Sequence, residues 1–250
     1  MVYSGKGKAK MAYGDNRRRI MGFCGLVLVW AIVLSLTSCS GHRAEYIVTR
    51  QMLEAGDAVS LFDGKSLGQW KQTPFEEEGK SYVEDGRIIM AMGRDMSGIT
   101  WTGPLLRMNY EISLEAMRVE GTDFFCGLTF PVNDSACTLI VGGWGGGLVG
   151  LSCIDYYDAA DNETSWSMDV AGGKWYQIRL RVTEKMIQAW IDDEMMVNFE
   201  WPGHKLDVRM EVDLSVPLGI ATWQTTGAAV SYTHLRAHET SLHLVCRLLL

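Results

Sequence analysis

Proline and histidine are scarce, at five each in 250 residues. So little proline rules out a polyproline segment or a Pro-rich linker. The few histidines share no zinc-site spacing with the cysteines, which rules out a zinc module. Positive charge is also in short supply. The formal net charge is −7, and Lys6, Lys8, Lys10, Arg17, Arg18 and Arg19 all stand near the N-terminus. The remainder is therefore more acidic still, which excludes nucleic acid as a partner. Beyond residue 40 no long stretch keeps a 3.6-residue period, so a helical bundle is excluded. No glycine-rich loop runs into Lys-Ser/Thr, so there is no phosphate loop.

What the chain has is one long apolar run, residues 20–36, behind those basic residues. Its length and charge order are those of a signal-peptide core. It ends in Leu36-Thr37-Ser38-Cys39, which resembles the bacterial lipobox, where cleavage precedes a cysteine whose thiol accepts lipid. Residues 1–38 are expected to be a lipoprotein signal peptide. Residues 39–57 then form a lipidated tether with a helical turn or two within 46–55. The implied location is the bacterial cell envelope, periplasmic or outer-surface, with the membrane as partner through lipid on Cys39. The alternative is an uncut span, for which about 17 apolar residues is short.

The other end breaks in composition. Three of the five histidines (His234, His238, His243) and Cys246 fall within residues 230–250. This stretch resembles translated sequencing-adapter read-through and is expected to be a non-native tail. The alternative is a genuine C-terminal helix. Residues 230–233 are expected at most to borrow a strand position, with the rest surface-exposed or weakly helical. Of the remaining cysteines, Cys126, Cys137 and Cys153 sit in apolar runs. One pair could form a disulfide in an oxidising compartment, or all three could be buried thiols.

Residues 58–229 read as one domain of many short strands separated by Gly, Asn and Asp. In 109–118, Tyr110, Ile112, Leu114 and Ala116 alternate with polar residues, the period of a half-buried strand. Residues 174–183 and 185–192 repeat the pattern, and Asp192-Asp193 turns into 194–200. The acidic row Glu111 and Glu115 is predicted to pair with Arg179 and Arg181 across a sheet face. Further strands are predicted at 58–62, 81–83, 87–92, 99–102, 124–130, 138–141, 148–154, 165–170 and 218–223. A closing strand is expected after Gly227, where the suspect tail begins. This pattern predicts an all-β sandwich or jelly roll.

Leu61-Phe62-Asp63-Gly64-Lys65-Ser66-Leu67 with Trp70, followed by Val83-Glu84-Asp85-Gly86-Arg87-Ile88, carries a family resemblance. Asn109-Tyr110-Glu111-Ile112, Trp175-Tyr176-Gln177-Ile178 and Leu218-Gly219-Ile220-Ala221 add to it. Together they resemble the bacterial 3-keto-disaccharide hydrolase domain family over about residues 59–229. The resemblance implies a concanavalin A-like jelly-roll β-sandwich acting on glycosides already oxidised at C3. A ketone at C3 acidifies the hydrogen on C2. A base removes that hydrogen, the enolate is stabilised, and the glycosidic oxygen leaves C1.

Such a site needs a base, an electrophile and aromatic walls. The catalytic candidates are Asp123, Asp158 and His204. Asp123 has a turn role as its alternative, and His204 a solvated loop position. Residues 155–163 form a loop with two tyrosines and many carboxylates. Asp155, Asp161 and Glu163 are the metal candidates, for a divalent ion such as Ca²⁺, although the spacing is not that of an EF-hand. A solvated acidic loop is the alternative. Substrate-binding candidates are Trp144, Tyr157, Trp175 and Trp190. Trp144 sits in Gly142-Gly143-Trp144-Gly145-Gly146-Gly147, which either presents the ring to a ligand or forms a tight hairpin over the core edge. Trp175 and Trp190 lie on the polar rows of their strands. The leading expectation is an envelope enzyme that cleaves 3-keto-glycosides by elimination. The alternatives are a carbohydrate-binding domain without turnover and an adhesion or scaffold lipoprotein, because jelly rolls host all three.

Overall fold

The computed structural model describes residues 47–55 and 58–230, and the backbone of His234–Ala237. A short helix, α1 (Arg50–Glu54), is capped by the Thr49 side chain. Among the described residues sixteen strands follow in chain order. The first eight are β1 (Val59–Ser60), β2 (Trp70–Gln72), β3 (Ser81–Glu84), β4 (Arg87–Met90), β5 (Met96–Trp101), β6 (Tyr110–Gly121), β7 (Cys126–Val132) and β8 (Ser135–Gly143). The others are β9 (Leu148–Ser152), β10 (Trp166–Ser167), β11 (Trp175–Val182), β12 (Met186–Ile191), β13 (Glu194–Glu200), β14 (Gly219–Trp223), β15 (Thr225–Val230) and β16 (His234–Ala237).

They build two antiparallel sheets. One runs β13-β12-β11-β6-β15-β4-β3, with β16 pairing β1 and β6. The other runs β10-β9-β8-β7-β14-β5-β2. Chain neighbours such as β4 and β5, or β14 and β15, lie in different sheets, which is the jelly-roll sandwich expected from the sequence.

The alternation read along β6 and β11 survives intact. Tyr110, Ile112, Leu114 and Ala116 face the core with Tyr176, Ile178, Leu180 and Val182. Opposite them, Cys126, Leu128, Phe130 and Val132 of β7 and Cys137, Leu139 and Val141 of β8 close the same core. The Tyr110 hydroxyl donates to the Pro131 carbonyl at 2.5 Å, tying the sheets together. On the outer face of β6 and β11 the expected charge row is present in part, because both arginines turn to Glu111 while Glu115 stands opposite Gln177. Arg181 lies 2.9 Å from Glu111, and Arg179 lies 3.8 Å from the same carboxylate. The three described cysteines are free and buried. Burial pushes the thiols of Cys126 and Cys137 up to about 12.

The seven-stranded sheet is buried on both faces. Val208, Val212 and Phe75 pack on its outer side with Ile140, Ala221 and Met96. The cover is the segment after β13, which crosses from one sheet to the other. Cys153 and Asp207 exchange backbone hydrogen bonds at 2.7 and 3.1 Å, and Asp155 N–H donates to the Lys205 carbonyl at 2.8 Å. The segment then becomes a 3-10 turn, Met210–Ser215, whose Leu214 carbonyl accepts from Thr100 Oγ1 of β5 at 3.0 Å. Residues 205–215 carry no strand or helix period, so sequence patterning missed this cover.

The chain end differs from expectation in two respects. The closing strand expected after Gly227 begins earlier, as β15 (Thr225–Val230), and lies centrally between β6 and β4. Beyond it, β16 is extended rather than helical. It pairs Arg236 and Ala237 with Glu111 and Tyr110, and His234 and Leu235 with Ser60 and Val59. The backbone hydrogen-bonding groups of β6 left uncovered by β15 draw the next segment into line. The expected signal peptide and lipid-acceptor Cys39 lie outside the described residues. Among the described residues, no helix is long and apolar enough to cross a membrane.

Candidate functional site

A cavity of about 210 Å³ opens on the outer face of the seven-stranded sheet. Its floor is Thr138 and Ile140 of β8, Ser152 of β9, Met96 of β5 and Phe124. The crossing segment supplies one wall through Arg209, Glu211 and Val212, and Asp123, Trp144 and Trp223 complete the rim. A mostly apolar lining, convergent polar groups and two indoles form the general composition of a small-ligand site.

Arg209 organises the wall. Its Nη1 donates to Asp158 Oδ2 at 2.7 Å, while Nη2 and Nε donate to the two oxygens of Glu211 at 2.8 and 3.2 Å. The hydrogen bond from Arg209 holds the Glu211 carboxyl below its usual range, against the opposing effect of partial burial. Asp158 is held in turn by Ala160 N–H at 3.0 Å. Behind it, the Asn162 amide donates to the carbonyls of Leu151, Tyr157 and Asp158, stiffening the loop.

On the other side stands Asp123. Its Oδ1 accepts from Phe124 N–H at 2.8 Å and its Oδ2 from Gly145 N–H at 3.0 Å. Gly145 belongs to the glycine-rich turn joining β8 to β9, so the glycine motif is a hairpin and also a cavity wall. The hairpin reading holds, and the turn places Trp144 at the cavity rim. Trp144 sits at φ 48°, a left-handed conformation unusual for a bulky residue, and the residue is 46% exposed beside the cavity.

The other candidates are dispersed. His204 lies elsewhere, its Nδ1 2.7 Å from Asp155 Oδ2, and it lines a separate cavity with Glu163 and residues 196–200. Lys205 N–H occupies the other oxygen of Asp155, and this bond, followed by the one from His204, lowers the Asp155 carboxyl from its usual value. Asp161 and Glu163 are exposed. Among the described residues no three metal-ligating side chains converge, so Asp155, Asp161 and Glu163 do not make a metal-binding group.

Tyr157 is exposed on the loop that carries Asp158. Trp175 and Trp190 lie on the nine-stranded sheet, away from this cavity. The expectation that Trp190 is a surface platform is corrected. It is 8% exposed because the Arg179 and Arg181 guanidiniums lie over its ring, 3.9 and 5.3 Å from the centroid. Long arginine stems cover an indole on the polar row as effectively as apolar residues do. Arg209, Glu211 and Trp223 escaped sequence reading. Arg209 and Glu211 sit in the aperiodic cover, and Trp223 looked like an ordinary strand end.

The architecture is thus a jelly-roll sandwich bearing a tryptophan-rimmed, carboxylate-bearing cavity on one sheet. The chain belongs to the 3-keto-alpha-glucoside-1,2-lyase-like domain family, whose pattern matches residues 57–237. No curated protein matches it. A solved structure described as a candidate glycosyl hydrolase from Parabacteroides distasonis is similar at 13% identity, with a TM-score of 0.47 over 77% of this chain and 99% of that one. The carbohydrate-binding module CBM66 from Bacillus subtilis is similar at 11% identity, with a TM-score of 0.44 over 67% of this chain and 95% of the module. The fold assignment rests on the sheet order itself, and the family match makes this a carbohydrate-active domain.

Proposed function

We propose that the domain cleaves 3-keto-glycosides by eliminating the C1 substituent, with the cavity over the seven-stranded sheet as its active site. The observation that carries the reading is the convergence of Asp123, the Asp158–Arg209–Glu211 set and two tryptophans on one small cavity. Asp123 is the base, because its carboxylate accepts only backbone N–H groups among the contacts described and stays available to a proton on C2. Arg209 is the cation that stabilises the enolate forming at the C3 oxygen. The electron pair of the C2–H bond passes into the enolate, then forms the C1–C2 double bond as the C1–O bond breaks. The departing oxygen takes a proton, and water adding to the unsaturated sugar completes a net hydrolysis. Trp144 and Trp223 supply apolar faces for the ring.

The test is incubation of the protein with a 3-keto-glucoside, following the unsaturated sugar. Asp123→Asn is expected to lower kcat by about 10²–10⁴-fold while leaving binding largely intact. Unchanged turnover in that variant would remove Asp123 from the role. A second reading, glycan binding without turnover, draws on the engagement of Arg209 by two carboxylates. It predicts binding of unoxidised glycans and no unsaturated product from any variant.

We further propose that the protein is lipid-anchored at Cys39 in a bacterial envelope, on the lipobox-like sequence ending there. Cys39→Ser is expected to shift it from the membrane to the soluble fraction. Unchanged membrane association, with residues 1–38 retained, would favour an uncut span.

A further inference from the structure

Arg118 is the feature the functional reading leaves unused. It lies near the end of β6 with 8% of its surface exposed, beneath the glycine-rich hairpin. Its Nη2 donates to the Gly146 carbonyl at 2.8 Å and the Gly142 carbonyl at 3.3 Å, and its Nη1 reaches the Val170 carbonyl at 3.5 Å. The guanidinium also stands 5.7 Å from the centre of the Phe125 ring. Nε is buried with no hydrogen-bond partner among the described residues. A buried guanidinium with an unsatisfied donor costs stability, so its geometry calls for a compensating role.

That role is visible in what the hairpin carries. The two carbonyls gripped by Nη2 flank Trp144 and Gly145. Trp144 presents its ring at the cavity, and Gly145 N–H donates to Asp123. Two of the five glycines lie against the same residue. A Cβ on Gly142 would come 2.8 Å from Arg118 Nη2, and one on Gly146 would come 3.1 Å from Nη1 and 2.7 Å from the Thr122 carbonyl. Gly142 and Gly146 thus leave room for the guanidinium beneath the hairpin.

We propose that Arg118 is a positioning residue. It clamps the 142–147 hairpin so that the Trp144 ring and the Asp123 carboxylate are held as one preformed unit against the sugar. The catalytic half of this inference rests on the proposed glycoside reading, whereas the clamp itself does not. Arg118 touches no ligand in this arrangement. It acts through Trp144 and Gly145, and its fork holds the Gly142 and Gly146 carbonyls from Nη2 and the Val170 carbonyl from Nη1, a spread that a single lysine ammonium does not match.

The experiment compares Arg118→Lys and Arg118→Met with the wild type in protein labelled with 5-fluorotryptophan. The Trp144 fluorine signal is identified by its loss in Trp144→Phe. Both variants are first checked for cooperative unfolding, and Arg118→Lys serves if Arg118→Met fails to fold. The expected result is a shifted and broadened Trp144 signal, with the Trp70 and Trp101 signals unmoved. Alongside it, KM for the 3-keto-glucoside should rise about tenfold in Arg118→Lys, with a smaller fall in kcat. An unchanged Trp144 signal in a folded variant overturns the clamp. A changed signal with unchanged KM and kcat overturns the catalytic half. A changed signal in a protein whose wild type neither binds nor turns over the glucoside leaves the clamp standing and sinks the functional reading instead.

Discussion

Arg209 and Glu211 sit close enough to share two hydrogen bonds, and that pairing sets a pH dependence. Glu211 is held below its usual carboxyl range by Arg209 in the folded chain. A carboxyl depressed on folding contributes stability above its unfolded value, about 4.3, and loses it as pH falls through the lower folded value. The stability difference between wild type and Glu211→Gln is therefore expected to be largest near pH 7 and to shrink towards pH 3. Denaturation curves at several pH values measure it, and a gap that widens on acidification would contradict the pairing. Trp190 gives a contrasting expectation. Its burial beneath two arginines makes it structural, so Trp190→Ala should cost about 3–5 kcal/mol of stability and leave glycan binding per folded molecule unchanged. Reduced binding in the folded variant would return it to the ligand surface.

At the scale of elements, period-two patterning made the long strands legible. β6 and β11 bury one face and leave the other more open, so alternation in the sequence survives as alternation in space, whereas in β12 the arginines above Trp190 close its polar row. β7 and β8 are covered on both faces, so their runs read only as apolar stretches without a preferred side. The 210–215 turn and β2 stayed hidden because short segments held by tertiary contacts leave no periodic trace. Half of the site was hidden with them. Asp123, Asp158 and Trp144 could be singled out by residue type and glycine context, whereas Arg209 is brought to them only by the crossing from one sheet to the other. β16 offers a test at this scale. Its backbone pairs β1 and β6, and the family match also ends at residue 237. Truncation after Ala237 is expected to leave the melting temperature unchanged, and truncation after Val230 to lower it by several degrees. Equal melting temperatures for both would show that β16 adds nothing to the sandwich.

The whole molecule carries a net charge of −7, and the cavity shares that sign. Asp123 and Glu211 line it and Asp158 stands behind Arg209, whose donors already serve Glu211 and Asp158. Arg118 turns its described hydrogen bonds towards backbone carbonyls beneath the hairpin. A substrate carboxylate entering this cavity would therefore meet the carboxylates of Asp123, Glu211 and Asp158 against the guanidiniums of Arg209 and, beneath the hairpin, Arg118, a balance that stays negative. At a separation of about 8 Å and an effective dielectric between 20 and 80, each like-charge contact costs roughly 0.5–2 kcal/mol. A 3-keto-glucuronide is accordingly expected to be turned over with kcat/KM about 5–30-fold below that of the matching 3-keto-glucoside. The methyl ester of the same glucuronide isolates the cause, because it keeps the added bulk and removes the charge. If electrostatics set the discrimination, the ester recovers most of the lost kcat/KM, and added salt narrows the gap between acid and glucoside by screening. An ester as poor as the acid, with no response to salt, would instead assign the discrimination to the size of the cavity.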